Sequence, residues 1–172
     1  MLSVLILKNF SGEKGSLSDD LADIYIPFLE GFLRFNGIKC QTIDPKGLER
    51  RFSITGKYGD GIIYVPAFSE KEPADKLSFI YTESAVGTSF KVASAIRKER
   101  SELDQENVVF INCLAEGDPL KSFSPLIYDN IRVSSDSFNE ELLQRIYNYS
   151  ESTAKSICRY YKILFKEPQK CD

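Results

Sequence analysis

Short apolar runs alternate along this chain with longer stretches in which apolar residues recur every three or four positions. The first run, Leu2 to Leu7, is continuous, as in a strand that is buried on both faces of a parallel sheet. Five later runs have a similar length, and one interpretation of the fourth run is an edge strand. The six predicted strands are Leu2–Leu7, Ile38–Ile43, Gly61–Pro66, Leu77–Thr82, Val108–Leu114 and Leu126–Val133.

Three stretches have helical periodicity. The first two lie between apolar runs, and the third follows the last run. Ser18 is a suitable N-cap for the first helix, Pro27 predicts a kink within it, and Gly37 predicts its end. The second helix is predicted from Thr88 to about Leu103. A capping box of Ser137 and Glu140 opens the third, which continues to about Phe165 with a break near Ser150.

The order of these elements predicts the fold class. A strand, a helix and a strand in sequence form a parallel crossover, and the pattern recurs without a linker or an internal repeat. We therefore expect one three-layer α/β domain over residues 1–172, with a mainly parallel sheet flanked by helices. Residues 165–172 are predicted to be a polar tail.

Composition limits the partners and the chemistry. The net charge of −3 gives no basic excess for nucleic acid or an anionic membrane, and no segment is long and apolar enough for a membrane span. Without an export signal at its start, the chain is expected to be cytoplasmic, with its four dispersed cysteines reduced. We expect no metal and no cofactor, and the partner is an unknown protein, a small-molecule ligand or a second copy of the chain.

The chain contains no histidine. This absence excludes Ser–His–Asp hydrolysis, histidine-ligated zinc and histidine general-base catalysis. It also leaves Cys113 without a base, so a buried core thiol is the better interpretation of that residue.

Two places retain candidate chemistry. The loop after the first strand could cradle a phosphate in a flavodoxin-like manner, although an ordinary connection is the favoured alternative. Its candidate residues are Asn9, Ser11, Gly12, Gly15 and Ser16. Asp129 is a carboxylate within an apolar strand, which makes it the best candidate for a functional acid, with a structural salt bridge as the alternative. Glu70 and Asp20 could join it in a carboxylate-dependent hydrolase. The charged run Arg97–Arg100 is interpreted as a solvated helix face.

The order of the elements resembles the zinc-dependent N-acetylmuramoyl-L-alanine amidases that cleave peptidoglycan stem peptides. Their glycine-rich loop after the first strand corresponds to residues 10–15, the exit of their first helix to Gly37-Ile38-Lys39, and the strand of their second zinc histidine to residues 59–67. The segment 128–135 corresponds to that of their catalytic glutamate.

The resemblance implies a cleft from which the metal ligands have been lost. Phe10 and Pro66 occupy the places of the two zinc histidines, and Ser18 occupies that of the glutamate ligand, whereas Asp129 keeps an acid at the catalytic position. It therefore implies a non-catalytic, amidase-like binding or interaction module with a link to the cell wall. The alternatives are a flavodoxin-like nucleotide- or flavin-binding protein and a carboxylate-dependent hydrolase.

Overall fold

Six strands and three helices make up the described part of the computed structural model, which comprises residues 2–8, 17–43, 61–69, 77–80, 86–101, 108–111, 126–132 and 138–168. The strands are β1 Ser3–Leu7, β2 Lys39–Ile43, β3 Ile62–Ser69, β4 Leu77–Ile80, β5 Val108–Ile111 and β6 Leu126–Arg132. The helices, numbered here in chain order, are α1 Leu17–Phe35, α2 Val86–Ser101 and α3 Glu140–Tyr160.

The strands form one sheet in the order β2-β1-β3-β6-β4-β5. Pairing is parallel throughout the described strands except between β4 and β6, which run antiparallel. The predicted class, an α/β fold with a mainly parallel sheet flanked by helices, is therefore confirmed. The edge position suggested for the fourth strand is wrong, because β4 pairs with β6 on one side and with β5 on the other.

Apolar residues on both faces of the sheet are buried. On one face Val4, Ile6 and Tyr64 join a core that α1, α2 and α3 complete. On the opposite face Leu7 and Val65 are also buried. Both faces are thus covered, as a three-layer arrangement requires. No helix in the described ranges is long and apolar enough to cross a membrane.

Helix α1 ends as its sequence predicts. Gly37 has a φ of +77°, and the amides of Gly37 and Ile38 donate to the carbonyls of Arg34 and Leu33 at 3.0 and 2.9 Å. These two bonds form a Schellman motif, which needs the left-handed conformation that glycine adopts without strain. The chain then turns directly into β2.

Helix α3 differs from its prediction at both its start and its middle. Its N-cap is Asn139, whose side chain accepts a hydrogen bond from the amide of Leu142, so the predicted capping box is wrong. The predicted break near Ser150 is also wrong. Ser150 and Thr153 are buried, and their hydroxyls donate to the carbonyls of Tyr147 and Tyr149 within the helix. These bonds satisfy the hydroxyls without interrupting the helix.

Strand β3 continues beyond the proline at which the sequence predicted its end. Its pairing with β1 stops at Tyr64, while its pairing with β6 runs on from Ile63 to Ser69. Pro66 therefore lies where β3 has lost its partner on one side. A proline lacks an amide hydrogen, and a strand tolerates it best where a neighbouring strand is missing.

The chain leaves α3 through a second Schellman motif. Ile163 and Lys162 donate their amide hydrogens to the carbonyls of Cys158 and Arg159 at 2.8 and 3.0 Å. Lys162 takes the left-handed position, with a φ of +58°, where glycine is the preferred residue. The segment then returns to α1, where Asn36 donates to the carbonyl of Lys166 and accepts from its amide.

Replacing Lys162 by glycine should stabilise the protein. Left-handed strain costs an L-residue about 1–2 kcal/mol, and the extra freedom of glycine in the unfolded chain offsets roughly 0.4–1 kcal/mol of that gain. We therefore expect Lys162→Gly to raise the free energy of unfolding by about 0.5–1 kcal/mol, measured by urea denaturation. Lys162→Ala removes the same side chain but keeps the strain. An equal gain in the alanine variant would contradict this explanation.

Candidate functional site

Five polar side chains meet in the core beneath the centre of the sheet, and each belongs to a different element. They are Tyr25 of α1, Tyr64 of β3, Arg100 of α2, Asp129 of β6 and Thr153 of α3. All five are buried. We call this group the central polar cluster. It connects the three described helices to two adjacent strands of the sheet.

A bidentate ion pair forms the centre of the cluster. The two terminal nitrogens of Arg100 donate to the two carboxylate oxygens of Asp129, each at 2.6 Å. Arg100 is 3% exposed and Asp129 is 1% exposed. A planar guanidinium suits this geometry, because its paired N–H groups match both oxygens of a carboxylate. Each charge neutralises the other in a place where either alone would be very unfavourable.

Three hydroxyl groups extend the ion pair. Tyr64 donates to Asp129, and Arg100 donates a further hydrogen to Thr153 Oγ1 at 2.8 Å. The hydroxyl of Tyr25 lies 2.7 Å from that of Tyr64 and 2.8 Å from Thr153 Oγ1. A phenol carries one proton, so Tyr25 donates to only one of these neighbours at a time.

The environment keeps both tyrosines neutral and the arginine charged. Burial, more than any other cause, raises the pKa of Tyr25 to about 12. Burial and then the negative charge of Asp129 raise the pKa of Tyr64 well above its usual value. Burial by itself would lower the pKa of Arg100, but its attraction to Asp129 outweighs that effect, and the pKa lies well above its usual value. Near neutral pH, Arg100 is therefore charged, and Tyr25 and Tyr64 are neutral.

Arg100 corrects the prediction that residues 97–100 form a solvated face. It lies on the same side of α2 as the buried residues Ala93 and Ile96, at helical spacings of three and four residues. This periodicity was present in the sequence and could have identified Arg100 as inward-facing. The other signal was the buried carboxylate itself, which requires a cation from outside its own strand.

Asp129 lies in the salt bridge that the sequence offered as the alternative to a functional acid. Both of its oxygens accept from Arg100, and one also accepts from Tyr64. With 1% of its surface exposed, the carboxylate has no contact with bulk solvent. A general acid or base needs hydrogen-bond access to the reacting group, and this arrangement does not provide it. A catalytic role for Asp129 stays a prediction.

Two of the predicted cleft positions are brought together. Pro66 and Asp129 are opposite each other in the register of β3 and β6, and both are buried. Ser18 and Asp20 both lie in the first turn of α1, and Asp20 is exposed, so it does not share the buried site of Asp129. The other predicted site residues lie outside the described residues: Asn9, Phe10, Ser11, Gly12, Gly15, Ser16 and Glu70.

The residues at the corresponding amidase positions do not fit a zinc ion. Pro66 has no donor atom, and Asp129 already shares both oxygens with Arg100. Zinc in proteins takes sulfur, imidazole or carboxylate ligands. Among the residues that the structure describes, no three cysteine, aspartate or glutamate side chains come together as a metal-binding group.

Removing one member of the ion pair should lower the free energy of unfolding more than removing both members does. Arg100→Met and Asp129→Leu are each expected to cost about 3–5 kcal/mol, because each leaves an unpaired charge in the core. The double variant should cost less than either single variant in urea denaturation. Glu151→Gln, which removes an i,i+4 contact of 3.5 Å with Lys155 at the surface, is the control and should cost at most about 0.5 kcal/mol. Additive losses in the double variant would contradict the model of a neutralised pair.

Alkaline pH should destabilise the fold through the two tyrosines. Folding raises both pKa values, so above about pH 10 the folded protein retains protons that the unfolded chain releases. Stability is therefore fully present below about pH 10 and falls above it, with a slope approaching about 1.4 kcal/mol per pH unit for each tyrosine. Tyr25→Phe and Tyr64→Phe should each reduce the slope of unfolding free energy against pH between 9 and 11.5. Tyr147→Phe, outside the cluster, is the control, and an equal reduction there would refute the assignment.

Solved structures with a similar fold are N-acetylmuramoyl-L-alanine amidases. The CwlD amidase from Clostridioides difficile, solved in complex with the GerS lipoprotein, has a TM-score of 0.68 at 11% identity, over 94% of this chain and 99% of that one. The catalytic domain of CwlV from Bacillus (Paenibacillus) polymyxa var. colistinus has a TM-score of 0.66 at 13% identity, over 95% and 100%. AmiC2 of Nostoc punctiforme has a TM-score of 0.64 at 14% identity, over 94% and 97%.

The comparisons by sequence give a different result. No protein-family model matches the chain, and no curated protein matches it. The likeness to the solved structures therefore concerns the fold. The amidase-like fold that the sequence resemblance implied is confirmed, over nearly the whole length of this chain and of its structural neighbours.

Proposed function

We propose that this protein is a non-catalytic, amidase-like binding module that recognises peptidoglycan fragments. The observation that carries the proposal is the ion pair of Arg100 and Asp129. At the position that corresponds to the catalytic glutamate, the carboxylate is buried and held by a guanidinium. An acid in that state does not accept a proton from an attacking water.

The missing metal ligands support the same proposal. A zinc-dependent amidase needs the metal to activate water and to polarise the scissile carbonyl. The chain has no histidine, and phenylalanine, serine and proline stand at Phe10, Ser18 and Pro66 in place of the ligands. The polar residues that remain cannot replace the zinc with an equivalent Lewis acid.

The fold supports the choice of ligand. The structural neighbours are amidases of the cell wall, and they match this chain over at least 93% of its length. An amidase-like fold without catalytic activity could still bind the same class of ligand in the corresponding cleft. We therefore propose muropeptides as the ligand class, with binding in place of hydrolysis. Because one neighbour was solved with a lipoprotein, a protein partner is consistent with the interaction role.

Two measurements on the purified full chain test the proposal. The first is incubation with Zn²⁺ and muropeptides, followed by chromatography for released stem peptide, with AmiC2 of Nostoc punctiforme as the active reference. We expect no release above the level without protein. Release that disappears in Asp129→Asn would overturn the proposal and assign catalysis to Asp129.

The second measurement is cosedimentation with insoluble peptidoglycan. We expect the chain to bind, and Phe10→Ala at the predicted cleft to reduce binding at least several-fold. Phe138→Ala is the matched control, because it removes an exposed phenylalanine at the start of α3. Absence of binding, or equal losses in the two variants, would show that the predicted cleft does not recognise peptidoglycan.

A further inference from the structure

The apolar surface of helix α1 is wider than the part of it that the core buries. Leu21, Tyr25, Leu29 and Phe32 pack inward. A second stripe runs along the border of this buried face and extends the apolar surface of the helix toward solvent, where a helix of a globular protein normally carries polar side chains. This outer stripe consists of Ile24, Pro27, Phe28, Gly31 and Phe35.

The outer stripe is open to solvent in the monomer. Phe28 is 39% exposed and Phe35 is 54% exposed, and Pro27 and Gly31 are exposed as well. Ile24 is half-buried. One edge of Phe28 rests on Tyr147 of α3, with ring centroids 5.3 Å apart, so the stripe continues onto the neighbouring helix. Contiguous aromatic surface of this kind is typical of interaction sites.

Gly31 lies in the middle of the stripe and leaves a gap. No heavy atom lies within 4 Å of the position that a Cβ would occupy there. Glycine weakens a helix interior relative to alanine. An exposed glycine between two exposed phenylalanines, Phe28 and Phe35, is therefore best explained by the close approach of another surface. The gap can receive a ring or a helix ridge from that surface.

The stripe is complementary to itself in an antiparallel arrangement. Two copies can pair about a two-fold axis that is perpendicular to their α1 helices and lies at the level of Leu29 along each helix. This axis would place Pro27 of one copy over Gly31 of the other, and Ile24 against Phe35. The same axis would bring the two Phe28 rings side by side. Each contact then occurs twice, as a two-fold interface requires.

The charged residues along one edge of the stripe are arranged about the same two-fold axis. Asp23 and Arg34 lie on the same side of α1, both well exposed, with side-chain exposures of 53% and 60%. They lie at nearly equal distances on either side of Leu29. The axis that pairs the apolar residues would therefore place Asp23 of each copy beside Arg34 of the other. Opposite charges meet at both ends, and like charges are kept apart.

We propose that the outer stripe of α1 is a homodimer interface, formed by antiparallel pairing of two α1 helices around Phe28. The occupant is a second copy of this chain, because both the shape and the charge of the stripe match their own two-fold image. A helix of 19 residues is about 28 Å long. An interface of one such pair is small, so the dimer is a weak one, with a dissociation constant on the order of 10–100 µM. The proposal is independent of any peptidoglycan recognition.

Charge-reversal variants test the interface directly. Sedimentation velocity over about 1–300 µM should show a monomer–dimer equilibrium for the full chain, in line with the weak affinity expected of a small interface. Asp23→Arg and Arg34→Asp should each weaken it at least tenfold, since each opposes like charges at both ends. An equimolar mixture of the two variants should recover dimers, because each hetero-pair restores both attractions. The contacts of Asp23 with Lys8 and of Arg34 with Glu30 lie within one chain, so mixing does not restore them.

A second variant separates association from folding. Gly31→Leu adds a side chain into open space and replaces a residue that weakens the helix, so the monomer should keep its circular dichroism spectrum and its melting temperature should not fall. It should nevertheless lose the dimer, because the gap is filled. Glu141→Arg, an exposed charge reversal on α3, is the control and should leave the equilibrium unchanged. A monomer throughout the concentration range, a mixture no better than its components, or a dimer that survives in Gly31→Leu would each overturn the proposal.

Discussion

The buried ion pair of Arg100 and Asp129 is the interaction on which the arrangement of this protein depends. A carboxylate in the middle of a central strand is tolerable only when a cation is placed beside it. The cation comes from α2 and donates to a hydroxyl of α3, a hydroxyl of β3 donates to the carboxylate, and a hydroxyl of α1 contacts both of these hydroxyls. The position of each described helix over the sheet is thus coupled to the same charge, and a shift of one helix would leave a buried polar atom without its partner.

The same interaction distinguishes the core of this chain within an amidase-like fold. In the structural neighbours the shared feature is the architecture, at identities of 10–14%. In this chain the carboxylate of Asp129 is part of the core. Its partner in register, Pro66, has no donor atom for a metal. Arg100 and Asp129 neutralise each other and connect α2 to β6.

Helix α1 connects this core to the surface. Its inner face contributes Tyr25 to the central polar cluster, while its outer face presents Phe28, Gly31 and Phe35 to solvent. An apolar helix surface that is wider than its buried part is normally covered by another surface. In the outer stripe, the aromatic rings, the gap at Gly31 and the charges at the edge are all related by the same two-fold symmetry. We therefore infer that this surface pairs with a second copy of the chain.

The class of fold and most of the elements could be predicted from the sequence, because continuous apolar runs, a period of three to four residues and a glycine at a helix end are local patterns. It did not determine that β4 lies inside the sheet, that β3 continues past Pro66, or that α3 runs unbroken through Ser150, since these depend on which partner each backbone group finds. Whether Asp129 forms an ion pair could not be decided from the sequence, and the pair was seen only in the folded structure. Its partner Arg100 is 29 residues away in the chain, and an arginine in a run of charged residues becomes a core residue only when a buried carboxylate is placed opposite it.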